Sequence, residues 1–188
     1  MGSGKTSTIL QVAKQITQAR NQTVAIIENE IGEAGIDDQL LRGSGFQVRP
    51  LFGGCVCCQI TTDLLTAIQE IAATLTPDWI IIEMTGLAVP GTVAKSIRQL
   101  ALDELACKTI TIVDAARWHV LKRAVEPLIL SQVAESDLLL INKTDVLGVD
   151  SSQVIEEVRA INTKAPIIRS SAKLELSLEV LEEVFRFA

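Results

Sequence analysis

Gly2-Ser3-Gly4-Lys5-Thr6 runs straight into an apolar series at helical spacing, Ile9, Val12, Ala13 and Ile16. Glycines followed by Lys-Thr at the mouth of a helix match the second half of the phosphate-binding pattern G-x-x-x-x-G-K-[ST]. The glycines let successive backbone N–H groups converge on phosphate oxygens, and the helix N-terminus adds its dipole. Lys5 is placed to neutralise the β- and γ-phosphates and Thr6 to ligate Mg²⁺ through its hydroxyl, with Ser7 next in the loop. The bland alternative is a flexible glycine-rich N-terminus with an incidental lysine. The pattern's first glycine, and the strand that normally precedes such a loop, would lie ahead of Met1, so upstream residues are expected.

Outward from this loop, helix and strand patterns alternate almost to the end of the chain. Thr23–Glu28, Trp79–Glu83, Thr109–Asp114, Leu138–Asn142 and Pro166–Ser170 read as short buried strands, and Val48–Phe52 as a weaker extended segment. Leu64, Leu65, Ile68, Ile71, Ala72 and Leu75 share one helix face that ends before Pro77. Further helices are expected at Ile36–Leu41, Thr92–Leu100, around Val154–Ile161 and at Leu178–Phe187, with a helical stretch broken at Pro127 after Asp114. Strands apolar on both faces and alternating with helices predict an α/β fold with a mostly parallel sheet. Right-handed crossovers make it a three-layer, doubly wound domain that binds ligand at the carboxyl ends of its strands. Polar residues fall at those ends: Asn29, Glu30, Glu83, Asp114, Asn142, Asp145, Ser170 and Ser171. One domain over residues 1–188 is expected, with its first strand missing.

Composition removes several function classes. Seventeen basic and 23 acidic residues give a net charge of −6, which argues against nucleic acid as a partner. Aromatics are 3% and Tyr is absent, which disfavours a base-stacking platform. No apolar run approaches the roughly 18–20 residues of a membrane span, and Met1–Thr6 has no apolar export region, so a cytoplasmic protein without a membrane partner is expected.

Asn142-Lys143-Thr144-Asp145 follows the apolar run Leu138–Ile141 directly. This is the NKxD pattern by which P-loop GTPases read guanine. Asp145 can accept two hydrogen bonds, from guanine N1–H and the 2-amino group. Adenine offers no such pair and would leave the carboxylate unsatisfied. The Lys143 stem would cover the base, and Asn142 would tie loops together. Ser170-Ser171-Ala172-Lys173 resembles the loop that presents a backbone N–H to guanine O6. Glu83-Met84-Thr85-Gly86 ends another strand. Its carboxylate can hold Mg²⁺ directly or through water, and the Gly86 amide can sense the γ-phosphate.

Three of the four cysteines lie in Gly53-Gly54-Cys55-Val56-Cys57-Cys58. Such clustering suits metal-binding thiolates in a reducing compartment better than a disulfide framework. In an extended chain Cys55 and Cys57 project to one side. Three sulfurs suit tetrahedral Zn²⁺ or a similar cation, with one position left for water, a carboxylate such as Glu30, or a recipient. Buried or redox-active cysteines are the alternative. Cys107 reads as a small buried residue, and His119, the single histidine, as structural or exposed.

In order, GSGKT, NEIGEAGID (Asn29–Asp37), GGCVCC, EMTGLAVP (Glu83–Pro90), IVDA (Ile112–Ala115), NKTD and SSAK resemble the GTPase domain of the CobW family across nearly the whole chain. That branch and its urease and hydrogenase maturation relatives use Glu-x-x-Gly where most small GTPases have Asp-x-x-Gly. The resemblance makes Asn29–Asp37 a first switch segment, with Asp37 a candidate for the Mg²⁺ shell and Glu30 for a second metal. It implies slow, metal-responsive GTP hydrolysis coupled to delivery of zinc, cobalt or another transition metal to a target metalloprotein or cofactor-pathway enzyme. With no evident arginine finger, a partner or a second copy is expected to complete the site. Family members usually carry a further C-terminal domain, which this chain is expected to lack. The competing readings are an ATP-dependent phosphotransferase, a non-catalytic GTP-gated scaffold that activates a cofactor-dependent enzyme, and a metal buffer that binds no nucleotide.

Overall fold

A computed structural model describes residues 2–28, 47–50, 57–99, 106–146 and 150–187. The chain forms two compact units, Thr6–Ala88 and Val89–Ala188 with Met1–Lys5. Each contains a three-stranded, wholly parallel sheet.

In the first unit, α1 (Lys5–Lys14) ends in a π-helical turn, Gln15–Ala19, and leads to β1 (Val24–Glu28), β2 (Gln47–Pro50), α2 (Cys57–Leu75) and β3 (Trp79–Glu83). The strand order is β2-β1-β3. Central β1 is buried at every residue, and Ile16, Leu64 and Ile71 are closed from solvent beside it in this unit's core. The β1–β3 register runs from Val24 opposite Trp79 to Glu28 opposite Glu83. Its entry is stitched by Asp78, which accepts the Thr23 backbone N–H at 2.7 Å and the Thr23 hydroxyl at 2.8 Å. Those two bonds, the backbone one first, hold the Asp78 carboxyl below the usual carboxylate range.

The second unit contains α3 (Pro90–Gln99), β4 (Ile110–Asp114), a 3-10 turn Ala115–Arg117, α4 (Trp118–Ala124), α5 (Glu126–Ala134), β5 (Leu138–Asn142), α6 (Ser151–Ile161), β6 (Ile167–Arg169) and α7 (Leu178–Phe185). Its strand order is β4-β5-β6, with β5 wholly buried in the middle. Val113, Trp118, Val133, Leu139, Ile141, Val154 and Val158 form the core. Asp150 caps α6 by accepting from Ser152 and Gln153 N–H, and Ser177 caps α7 through Val180 N–H. Buried Asn162 joins α5 to the turn before β6. Its amide donates to the Val133 and Ser136 carbonyls, both at 2.9 Å, and its Oδ1 accepts Ala165 N–H at 2.9 Å.

Four differences from the sequence reading have physical reasons. The helical stretch after β4 breaks at Val125 (φ −142°, ψ 45°), and Pro127 lies in the first turn of α5, where a missing N–H is harmless. Helix α2 starts at Cys57, so the alternation of an extended chain does not apply from that residue on. Strands β1 and β5 are buried on both faces, whereas Trp79–Ile82 and Ile110–Ile112 are only half-buried, because β3 and β4 are edge strands within their own sheets. Cys107 is half-buried rather than buried. The expected helix at Ile36–Leu41 lies outside the described residues. No helix among the described residues is long and apolar enough to cross a membrane.

Candidate functional site

Five of the buried polar residues stand at the carboxyl ends of strands: Glu28 and Glu83 in one sheet, Asp114, Asn142 and Ser170 in the other. Apolar β-branched and leucine runs set β1, β3, β4 and β5, and each closes on an acid or amide at its carboxyl end.

In the Thr6–Ala88 unit, Thr6 lies in the first turn of α1 and Glu83 ends β3. The Thr6 hydroxyl stands 3.2 Å from both Glu83 carboxylate oxygens and donates to them. A hydroxyl and a carboxylate at this spacing form an all-oxygen donor set that suits Mg²⁺, a hard cation. Glu28 lies directly across the ladder from Glu83 and is buried, at 9% exposure. It was not singled out in the sequence, because only strand register places it there. Ser7 is exposed in the first turn of α1, and Gly86 lies in the exposed turn after Glu83.

In the other unit, the loop after β5 is knotted to the glycine loop. The Asn142 amide donates to the Ser3 carbonyl at 2.6 Å, and its Oδ1 accepts Ala172 N–H at 2.8 Å. Gly4 sits in this knot at φ +96°, where a Cβ would collide with the Asn142 amide nitrogen and stand 3.0 Å from the Ala172 Cβ. Glycine is therefore required twice over, by conformation and by space. Asn142 is thereby bonded to the loop that was expected to present a backbone N–H to guanine O6. Gly2 and Lys5 belong to the same unit.

Lys143 adopts φ +65°, which turns the chain out of β5. Its ammonium lies 2.8 Å from Asp114 Oδ2, and Arg117 Nε donates to the same oxygen at 2.6 Å. Burial pushes the Asp114 carboxyl up, but hydrogen bonds and charge from Lys143 and Arg117 outweigh it, and the group stays below the usual range. Asp145 accepts the Ser171 hydroxyl at 2.8 Å, and Lys173 Nζ lies 4.0 Å away. The Ser171 bond, with the nearby Lys173 and Lys143 charges, holds the Asp145 carboxyl below the usual carboxylate range. Thr144 donates to the Ser170 carbonyl at 3.0 Å and so joins the two expected base-reading loops.

Glu30, Asp37 and Cys55 lie outside the described residues. Cys57 and Cys58 begin α2. His119 is half-exposed, 3.7 Å from Glu157.

Comparison with known proteins accords with these motifs. Residues 1–169 match the family described as "CobW/HypB/UreG, nucleotide-binding domain". This chain belongs to that family. It is a CobW-type P-loop GTPase domain, as the order of its motifs implied. It is 31% identical over 179 residues to the zinc chaperone YjiA of Escherichia coli, covering 89% of this chain and 54% of YjiA. It is 25% identical to the zinc-regulated GTPase metalloprotein activator 1 of Dictyostelium discoideum, covering 96% of this chain and 46% of that protein. The chain thus spans about half the length of the curated relatives it matches. Among solved structures, Zn(II)-bound YjiA GTPase from E. coli aligns at TM-score 0.65 and 26% identity, over 96% of this chain and 57% of that one. The hydrogenase maturation factor HypB of Archaeoglobus fulgidus aligns at TM-score 0.68 and 19% identity, over 97% and 83%, which shows the shared P-loop GTPase fold.

Proposed function

We propose that residues 1–188 act as one GTPase domain that binds GTP with Mg²⁺, hydrolyses it slowly, and uses the nucleotide state to control a transition-metal cargo of the zinc class. The observation that carries the nucleotide half is the knot of Asn142, Ser3, Gly4 and Ala172, which locks the NKTD loop to the glycine loop. In this reading Gly2, Ser3, Gly4, Lys5, Thr6 and Ser7 take the phosphates. Asn142, Lys143, Asp145, Ser171, Ala172 and Lys173 take the guanine. Thr6 and Glu83 hold Mg²⁺, with Asp37 as a further ligand, and the ion neutralises charge on the phosphates when bound.

Water attacks the γ-phosphate, with Lys5 and backbone amides, including that of Gly86, facing the developing charge. Slow turnover follows because no Gln or Arg stands out in the sequence as a positioner of that water or as an arginine finger. Cys55, Cys57, Cys58 and Glu30 take the metal as cargo for a target metalloprotein in the cytoplasm, with a second copy of the chain as a further partner. The names of the relatives, zinc chaperones and zinc-regulated activators, support zinc as the cargo. Phosphate release from GTP and ATP, with and without Mg²⁺, tests the catalytic half. Slow, Mg²⁺-dependent turnover of GTP alone is expected; equal turnover of ATP would contradict it.

A further inference from the structure

We propose that Asp114 is a positioning residue of the guanine site, acting through Lys143. The proposal deepens the guanine reading and rests on it. Asp114, Lys143, Asp145 and both expected base-reading loops belong to one unit, Val89–Ala188 with Met1–Lys5.

Asp114 ends β4 opposite Asn142 in the ladder, so Lys143 is the first residue beyond the paired stretch. Lys143 takes φ +65° there, a backbone conformation that a residue with a Cβ adopts only at a cost. Such a conformation persists where surrounding contacts over-determine it. Asp114 supplies one of them through the side chain, its Oδ2 lying 2.8 Å from the Lys143 ammonium. The acid is itself fixed: its side chain is 1% exposed, and it accepts the Arg117 backbone N–H at 3.3 Å and Nε at 2.6 Å. The next two residues hold the turn from the other side. Thr144 donates to the Ser170 carbonyl at 3.0 Å, and Asp145 accepts the Ser171 hydroxyl at 2.8 Å.

That placement indicates what the tether does. In the guanine reading the Lys143 stem covers the face of the base, while Asp145 reads its edge. A lysine stem free in solvent has many rotamers, and ordering it on binding costs affinity. Pairing its tip with a buried, immobile carboxylate removes much of that freedom before the nucleotide arrives. Lys143 keeps 31% side-chain exposure, so the ammonium is anchored while part of the side chain stays open to a ligand. Asp114 acts without touching the base: it sets where the stem lies and where the chain turns towards Asp145.

The test is a double-mutant cycle of Asp114→Asn and Lys143→Met, each titrated with GTP and with inosine triphosphate in the presence of Mg²⁺. Asp114→Asn keeps the shape of the acid and an acceptor for Arg117; Lys143→Met keeps an apolar stem without the ammonium. Each single variant is expected to weaken GTP about fivefold, the scale of ordering one long side chain on binding. The double variant should lose no more than either single one, because both break the same tether. Inosine triphosphate, which lacks the 2-amino group, should lose affinity by the same factor, since the stem covers the face of the base and not its edge. The proposal is overturned by wild-type GTP affinity in either single variant, by losses that multiply to about 25-fold in the double, or by a loss confined to GTP. If circular dichroism shows Asp114→Asn unfolded, Lys143→Met decides alone, and unchanged affinity there overturns the proposal. A wild-type chain that binds no GTP overturns the underlying reading, and that result is distinct from all the others.

Discussion

Asn142 donates its side-chain amide to the carbonyl oxygen of Ser3, 139 positions away in sequence, at 2.6 Å. The same side chain accepts the Ala172 N–H, so one buried amide ties the glycine loop and both expected base-reading loops together. Asn142→Ala removes two part-buried hydrogen bonds, each worth about 0.5–1.5 kcal/mol of stability. Urea unfolding is expected to show that loss, and GTP titration a still larger loss of affinity. Gly4→Ala places a methyl against the Asn142 amide at positive φ, and should abolish GTP binding while Asn142→Asp only weakens it.

In the guanine reading, Asp145 carries base selection. Asp145→Asn replaces an ionised acceptor with an amide that can donate. GTP affinity should fall about a hundredfold, the scale of losing charge-assisted hydrogen bonds worth roughly 1.5–3 kcal/mol each. Xanthosine triphosphate, with an oxygen in place of the 2-amino group, should gain affinity relative to GTP. Competition between the two nucleotides measures the exchange, and an unchanged order of preference would contradict the assignment.

Asp78, Asp114 and Asp145 all titrate below their ordinary range in the folded chain. For acids with depressed folded-state values, the stabilisation is fully present above the unfolded value, about 3.9, and is lost as pH falls through the folded value. Stability from these groups should therefore be level from pH 8 to about 5 and decline below about 4. In Asp78→Ala the decline should be shallower, because the two Thr23 bonds to the carboxylate, and the pH dependence they confer, are lost. Urea unfolding at stepped pH tests this, and a decline as steep as in the wild type would contradict it.

The strands were the most legible part of the fold. Leu138–Asn142 and Trp79–Glu83 have the expected bounds, because β-branched and leucine runs between polar residues leave little choice of period. The start of α2 was less legible, since Cys57–Asp63 lacks the apolar spacing that marks its later turns. Pro127 was misread as a breaker, although the first turn of a helix tolerates it. In the site, the tetrapeptide after β5 was readable from sequence. The placement of Glu28 opposite Glu83 and the ion pairs of Asp114 with Arg117 and Lys143 were not, because register and tertiary packing create them and no local spacing records those.

The cysteines supply a test independent of base recognition. Replacing Cys55, Cys57 and Cys58 together with serine should remove tight zinc binding, since hydroxyls are poor ligands for a thiolate-preferring ion. GTP affinity without metal should stay within about twofold, a shift of about 0.4 kcal/mol. Zinc competition with a chromogenic chelator measures the first and nucleotide titration the second. Retained tight zinc binding would move the metal site elsewhere.

The central claim is that nucleotide and metal are coupled, and such coupling must be reciprocal. Isothermal titration of GTP and ATP with Mg²⁺, with and without one equivalent of Zn²⁺, tests it most directly. The account predicts that GTP binds in preference to ATP and that Zn²⁺ shifts GTP affinity about fivefold or more, the lower end of typical coupling energies. Equal GTP affinity with and without Zn²⁺ would contradict it.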